Sequence, residues 1–198
     1  RQGRIRDSRQ SVMRELVNTF DAEVHCIHWD KKKGTPFIPE NEKGITFYGR
    51  SNYDKASLIA LVEKQNPDII YVSGTMDKTY LQAALHFRAK GVKLVGASDN
   101  KWLKTWKQRI QITFSNYLFR RYFEYTWIPG TRQYVFARLM GFEENKIIKN
   151  LYSANTSIFQ KAYENNLEAK KKKYPHTIVY VGRFSPEKGV DVIYNAFL

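Results

Sequence analysis

Short apolar runs alternate with amphipathic stretches along most of this chain of 198 residues. Runs of roughly four to eight residues rich in Val, Ile and aromatic side chains are typical of buried strands, whereas apolar positions three and four residues apart are typical of helices that pack by one face. The predicted strands are 22–29, 45–48, 68–73, 92–97, 125–128, 146–151 and 178–181. The predicted helices are 10–20, a helix that starts at Asp54 or Ser51 and ends at Gln65, 78–90, 101–123, 133–140 and 157–172, with a further helix beginning near Val190.

Strands that alternate with helices of this length predict a parallel α/β sheet flanked by helices, which is a Rossmann-like domain. We expect this domain to span residues 1–155, followed by a linker over 156–175. Residues 176–198 would then be the first strand and helix of a second Rossmann-like domain. A doubly wound domain ordinarily opens with a strand, yet this sequence opens with a helix. We therefore expect a first strand upstream and a second domain that is cut short.

The composition adds a strong positive charge to this picture. Lys and Arg number 33 against 19 Asp and Glu, so the formal net charge is +14 at pH 7. This charge favours an anionic partner such as nucleic acid, anionic lipid or a phosphorylated substrate, and the aromatic content suits a membrane interface or single-stranded nucleic acid. No apolar run approaches the roughly 20 residues of a transmembrane helix. Cys26 is the only cysteine, which excludes a disulfide framework and favours a reducing cytoplasm.

Residues 177–198 combine a strand, a tight turn and the start of a helix, and the turn carries the clearest candidate chemistry. Gly182 interrupts the apolar run and Gly189 precedes the helix, with Arg183 and Lys188 between them. Backbone N–H groups and two cations in such a turn can hold an anion such as a diphosphate. The alternative is an ordinary strand–helix turn with two solvated charges.

The string Val-Gly-Arg-Phe-Ser-Pro-Glu-Lys-Gly-Val-Asp over 181–191 resembles the opening of the nucleotide-sugar domain in retaining glycosyltransferases of the GT-B architecture, family 4. The resemblance implies two Rossmann-like domains and transfer of a sugar from a UDP- or GDP-sugar, with retention and without a metal or other cofactor. It implies that Gly182, Arg183 and Lys188 bind the donor diphosphate. The family's two glutamates for the donor sugar and ribose would follow Leu198, so we expect this chain alone to be inactive.

The first domain resembles the same family more weakly, but in the same order. Segments 67–72 and 141–150 are similar to its Pro-Asp-Ile-Ile-His-Val strand and its Gly…Lys-Ile-x-Val-Ile-x-Asn segment, and 157–159 is similar to its linker entry. Two histidines of the family pattern are replaced here, by Tyr71 and Ser98. The Asp-Asn-Lys-Trp that follows Ser98 resembles the Asp-Asn-x-Trp motif that some branches of the family have at this place instead of the histidine. The sequence therefore does not identify the catalytic residue, and Asp99 is the candidate.

Candidate acceptor-side residues lie in two loops. Asp99 and Asn100 follow the carboxyl end of a predicted strand, where ligands bind in open α/β sheets, and their side chains could bond sugar hydroxyls. Asp99 could also cap the next helix, and the two roles are compatible. Gly3 lies among three arginines in a loop that could contact a phosphate, or that could be a basic terminus without a site. His25 and His28 face opposite sides of one strand, so no metal site is expected.

The aromatic and basic stretch 101–123 is predicted to be one long helix. Trp102, Trp106 and Arg109 share one face at helical spacing, and Lys104 lies nearby, which suits a helix on an anionic bilayer. The alternatives are a core helix with solvated cations and a nucleic-acid contact. The resemblance favours the membrane, because many such transferases act on lipid-linked acceptors from the cytoplasmic face. We therefore expect a cytoplasmic protein that is peripheral at the inner face of the membrane.

Three functions remain, and a glycosyltransferase fragment of lipid-linked or surface glycan biosynthesis is favoured. A basic module for nucleic acid or an acidic polymer would explain the net charge, but no nucleic-acid motif is present and the 181–191 string would be unexplained. Another two-domain Rossmann-like enzyme, such as a nucleotide-sugar epimerase, is disfavoured because the sequence lacks Gly-x-Gly-x-x-Gly.

Overall fold

The structure is a computed structural model that describes residues 7–30, 39–152, 156–173, 177, 179–182 and 184–197. The chain divides into two compact units, Arg1–Asn155 (unit 1) and Thr156–Leu198 (unit 2). The predictions for Gly3 and Arg183 lie outside the described residues.

Unit 1 contains two sheets in which every named strand pairs in parallel. The first sheet joins β1 (Val24–His28) to β2 (Ile45–Gly49). The second has the order β3 (Ile69–Val72), β4 (Lys93–Ala97), β5 (Tyr125–Trp127) and β6 (Ile147–Ile148). The predicted α/β class with parallel strands flanked by helices is confirmed, and it is consistent with a Rossmann-like fold. The predicted strand 146–151 is shorter than expected, because only two of its residues pair with β5.

Helices connect the strands of unit 1, and two of them begin at aspartate caps. The helices are α1 (Asp7–Phe20), α2 (Lys55–Gln65), α3 (Lys78–Ala89), α4 (Trp106–Thr113), α5 (Ser115–Leu118) and α6 (Thr131–Leu139). The Asp54 carboxylate accepts from the backbone N–H of Ser57 at 2.8 Å, which caps α2. The Asp77 carboxylate accepts from the backbone N–H groups of Thr79 and Tyr80, which caps α3. In both helices a carboxylate therefore bonds N–H groups of the first turn that have no partner within the helix.

The core of unit 1 joins the four-stranded sheet to α3 and α6. Leu94, Phe123 and Ile128 are almost completely buried, and Phe136 of α6 packs in the same cluster. Gly96 in β4 lies directly under aromatic rings: a Cβ there would be 2.5 Å from Cδ2 of Phe123. The aromatic side chains of 119–123 therefore fill the space above β4 that a larger residue at position 96 would occupy.

The prediction of one helix over 101–123 is wrong. Lys104 has a φ of 60°, a left-handed conformation that interrupts a helix, and the Thr105 side chain accepts from the backbone N–H of Gln108 to start α4. The Gln108 amide holds the preceding loop, because it donates to the carbonyl of Lys101 at 2.7 Å and accepts from the N–H of Leu103 at 2.7 Å. Residues 101–105 are consequently a loop. Trp102 is not part of a helix and shares no helical face with Trp106 and Arg109.

The regular elements that the structure describes in unit 2 are helical. It contains α7 (Thr156–Lys172), a short 3-10 turn (Pro186–Lys188) and α8 (Val190–Asn195). The helical prediction for 157–172 is confirmed. The buried strand predicted for 178–181 is wrong over residues 179–181, which form no strand, and Val179 and Val181 are exposed. A strand needs a pairing partner, and the described part of unit 2 contains no other strand that could pair with it.

Candidate functional site

The carboxyl edge of the four-stranded sheet carries two of the acceptor-side candidates. β4 ends at Ala97, and the N–H of Ser98 donates to the carbonyl of Trp127 at 3.0 Å, so the chain follows β5 for one more residue. Asp99 and Asn100 come next, and both are exposed. Exposed carboxylate and amide groups at this edge are in the position where open α/β sheets bind ligands.

Asp99 is held in place by contacts from two other segments of this edge. The Tyr152 hydroxyl donates to Oδ2 of Asp99 at 3.0 Å, and Nε2 of Gln133 donates to the Asp99 backbone carbonyl at 3.4 Å. The alternative role of Asp99 as a helix cap is wrong, because the next helix begins at Trp106 and is capped by Thr105. An ionised carboxylate has roughly four acceptor positions, so the contact with Tyr152 leaves Asp99 able to accept from a ligand hydroxyl.

Tyr152 was not foreseen, and its position depends on the end of β6. The N–H of Leu151 donates to the carbonyl of Ile128 at 3.0 Å, and Nε1 of Trp127 donates to the carbonyl of Lys149 at 3.0 Å. These bonds hold the segment after β6 beside the end of β5 and bring Tyr152 to Asp99. The two residues are 53 positions apart in sequence, so no local pattern indicated the contact.

A second polar cluster, which sequence reasoning missed, links the ends of β2 and β3. Nε of Arg50 donates to Oδ2 of Asp77 at 2.8 Å, and the two side chains are only 13% and 7% exposed. The guanidinium also donates to the carbonyl of Tyr53 at 2.5 Å and lies 5.3 Å from the centre of the Tyr80 ring. The Tyr80 hydroxyl donates to the carbonyl of Ile27 in β1 at 3.2 Å. This cluster connects the two-stranded sheet to β3 and α3.

Burial and charge shift the pKa values within this cluster. Burial raises the pKa of the Asp77 carboxyl, but hydrogen bonds from Arg50 and from the backbone N–H groups of Thr79 and Tyr80 outweigh it, so the pKa lies below its usual range. The hydrogen bond to Asp77 raises the pKa of Arg50. Burial raises the pKa of Tyr80 to about 12. At neutral pH the cluster therefore consists of a charged pair and a neutral phenol.

The donor-side candidates lie in unit 2. At Gly182 an added Cβ would lie 2.5 Å from Oη of Tyr180, so a larger residue there would displace the Tyr180 side chain. Lys188 ends the 3-10 turn with its N–H bonded to the carbonyl of Ser185 at 2.9 Å, and its side chain is exposed. Gly189 follows in the left-handed region, with a φ of 61°, which favours glycine. Gly189 therefore provides the left-handed turn that precedes α8.

The membrane-surface candidates separate into two groups. Trp106, Lys104 and Arg109 are exposed, whereas Trp102 packs against the core and stacks on the ring of Phe136, with ring centres 6.0 Å apart. The described helices include none that is long and apolar enough to span a membrane. Within the described ranges, no group of three or more His, Cys, Asp or Glu residues is arranged to hold a metal ion.

Comparison of the chain with protein-family models gives no match, and comparison with curated proteins and with solved structures gives no significant match.

Proposed function

We propose that this chain is part of a retaining glycosyltransferase with two Rossmann-like domains, which transfers a sugar from a UDP- or GDP-sugar to a glycan or lipid-linked acceptor at the cytoplasmic face of a membrane. The observation that carries the proposal is the 181–191 string, with Gly182, Arg183, Lys188 and Gly189 in family order. Unit 1 would be the acceptor side, and residues 176–198 would begin the donor domain.

The donor side would stabilise the leaving group. In the transfer, the acceptor hydroxyl oxygen forms a bond to the anomeric carbon, the bond from that carbon to the diphosphate oxygen breaks, and the hydroxyl proton leaves with the nucleoside diphosphate. Negative charge develops on the diphosphate as this bond breaks, and Arg183 and Lys188 would offset it. No metal or other cofactor is needed for this role.

The acceptor side is supported by the geometry at the end of β4. Asp99 and Asn100 are exposed at the carboxyl edge of a parallel sheet, and Tyr152 fixes one oxygen of Asp99. A carboxylate oriented in this way can accept a hydrogen bond from a sugar hydroxyl and align it for attack. Asp99 is the candidate catalytic residue in this proposal, and Asn100 would supply a second acceptor contact.

Nucleotide-sugar binding by the intact protein that carries this chain is the direct test of the donor side. We expect UDP- or GDP-sugars to raise its melting temperature, because a ligand that binds only the folded state stabilises it. The double variant Arg183→Ala, Lys188→Ala should bind the nucleotide-sugar at least about tenfold more weakly, since it loses two charge-assisted contacts. The matched control, Lys171→Ala with Lys172→Ala, removes the same charge from α7 and should bind as the unaltered protein does.

The acceptor side has a separate readout. Asp99→Ala should reduce sugar transfer to the acceptor by about tenfold or more while nucleotide-sugar binding stays unchanged. A protein that binds no nucleotide-sugar, but that retains an oligonucleotide at physiological salt, would contradict the proposal and favour the basic binding module. Equal nucleotide-sugar binding by the Arg183, Lys188 variant and its control would also contradict the assigned donor site.

A further inference from the structure

Helix α4 and the short helix α5 place large apolar side chains on the surface and a polar one inside. Trp106 is 67% exposed and Ile110 is 46% exposed, whereas Gln108 between them is buried. Successive helical positions two apart point to nearly opposite sides, so α4 turns the Trp106–Ile110 side away from the core. Helices of globular proteins ordinarily have the reverse arrangement.

The exposed apolar side chains continue on both sides of α4. The set, which we call the apolar stripe, consists of Leu103, Trp106, Ile110, Phe114, Tyr117 and Leu118. The least exposed of the six is Ile110 and the most exposed is Tyr117, at 69%. Single exposed apolar residues are ordinary on protein surfaces, but six large ones within residues 103–118 are typical of an interaction site.

The charged residues of the segment that carries the apolar stripe have one sign. Between Asp99 and Glu124 the sequence contains six Lys and Arg residues and no Asp or Glu. Lys104, Lys107 and Arg109 are exposed, and Nζ of Lys107 lies 5.7 Å from the centre of the Trp106 ring. The partner must therefore accept apolar side chains, including an indole, next to a negatively charged surface.

A bilayer with anionic headgroups has this combination of properties. Trp and Tyr rings are stable at headgroup depth, Leu and Ile side chains reach the acyl boundary, and adjacent cations contact anionic lipid. Nucleic acid provides the negative charge and can stack on Trp106, but it offers little to aliphatic side chains such as Leu103, Ile110 and Leu118. We propose that the apolar stripe, with Lys104, Lys107 and Arg109, seats unit 1 on an anionic lipid surface.

Vesicle flotation of the full chain tests this inference. The probes are phosphatidylcholine vesicles with about 30% phosphatidylglycerol and vesicles of phosphatidylcholine alone. We expect the protein to float with the anionic vesicles, to bind the neutral ones at least about tenfold less, and to be released by high salt. Tryptophan emission should shift to shorter wavelength on the anionic vesicles as Trp106 leaves water.

Two pairs of variants separate the apolar and the charge contributions. Trp106→Ser with Ile110→Ser should bind the anionic vesicles about tenfold less, and the control Trp29→Ser removes another half-exposed indole and should bind normally. Lys104→Gln with Lys107→Gln should also bind the anionic vesicles about tenfold less. Its control, Lys170→Gln with Lys172→Gln, removes the same charge from α7 and should bind normally.

The membrane proposal has clear contrary outcomes. It is overturned if the Trp106, Ile110 variant floats as the Trp29 variant does, or if neutral and anionic vesicles bind the protein equally. It is also overturned if Trp106 and Ile110 are needed for binding a single-stranded oligonucleotide while vesicles leave the protein in solution. Because these side chains are exposed, circular dichroism should be the same for all the variants.

Discussion

Arg50 and Asp77 form a largely buried ion pair, 2.8 Å from Nε to Oδ2, between the end of β2 and the start of α3. The pair connects the two-stranded sheet of unit 1 with the part of the chain that follows β3. Asp77 also caps α3, so one carboxylate serves a helix end and a buried cation at the same time. Removal of this carboxylate should therefore lower the free energy of unfolding more than removal of a helix cap alone.

Asp77→Ala is expected to lower the free energy of unfolding by about 3 kcal/mol or more, because it leaves the Arg50 guanidinium buried without its partner and removes a helix cap. Urea denaturation at neutral pH, followed by circular dichroism, measures this loss. Asp54→Ala is the matched control, since Asp54 caps α2 but forms no ion pair within the described ranges, and its loss should be less than half as large. Equal losses in the two variants would mean that the ion pair adds nothing beyond the cap.

The same ion pair should make stability depend on pH in the acid range. The pKa of Asp77 in the folded protein lies below its usual value of 3.8, so its stabilising contribution is complete above that value and is lost as the pH falls through the lower, folded-state pKa. Between about pH 5 and pH 2 the free energy of unfolding should fall more steeply for the unaltered protein than for Asp77→Asn. The other carboxylates are present in both proteins and cancel in the comparison. Parallel curves would show that Asp77 titrates as an ordinary aspartate.

Packing above β4 gives a prediction at a single glycine. Gly96→Ala should destabilise the protein by about 1–3 kcal/mol, because the added Cβ would lie 2.5 Å from Phe123 and 2.9 Å from Phe119 in a filled core. The control is Gly130→Ala: Gly130 has extended backbone with a φ of 179°, and no atom lies near its Cβ position. Thermal denaturation should show a lower melting temperature for the first variant and little change for the second. A melting temperature of Gly96→Ala equal to that of Gly130→Ala would mean that the rings shift freely.

Local sequence patterns were sufficient for most of unit 1, because each depends on neighbouring residues. The apolar run before Val72 and the aspartate before α2 predicted a strand and a helix start that are both present. The break in 101–123 also had a local signal: Thr105 followed three positions later by Gln108 is a typical helix start, which the aromatic periodicity obscured.

Contacts between distant parts of the chain were beyond the reach of such patterns. The bond from Tyr152 to Asp99 and the pair formed by Arg50 and Asp77 depend on how strands are ordered in the sheets, and no periodicity encodes that order. The apolar side of α4 is a different case. Its residues were recognised as apolar, but periodicity does not tell whether such a face packs inward or lies on the surface.

Truncation of the two tryptophans of this region should change the free energy of unfolding by very different amounts, because Trp102 lies in the core and Trp106 on the apolar stripe. Trp102→Ala should lower the free energy of unfolding by about 2–4 kcal/mol, since it removes an indole that stacks on Phe136 with an angle of 9° between the rings and leaves a cavity beside the core. Trp106→Ala should change it by less than about 0.5 kcal/mol, because that side chain is mostly in water. Urea denaturation of both variants, followed by circular dichroism, makes the comparison. A large loss at Trp106 with little change at Trp102 would mean that Trp106 packs in the core and Trp102 does not, and the surface assigned to lipid would then be part of the core.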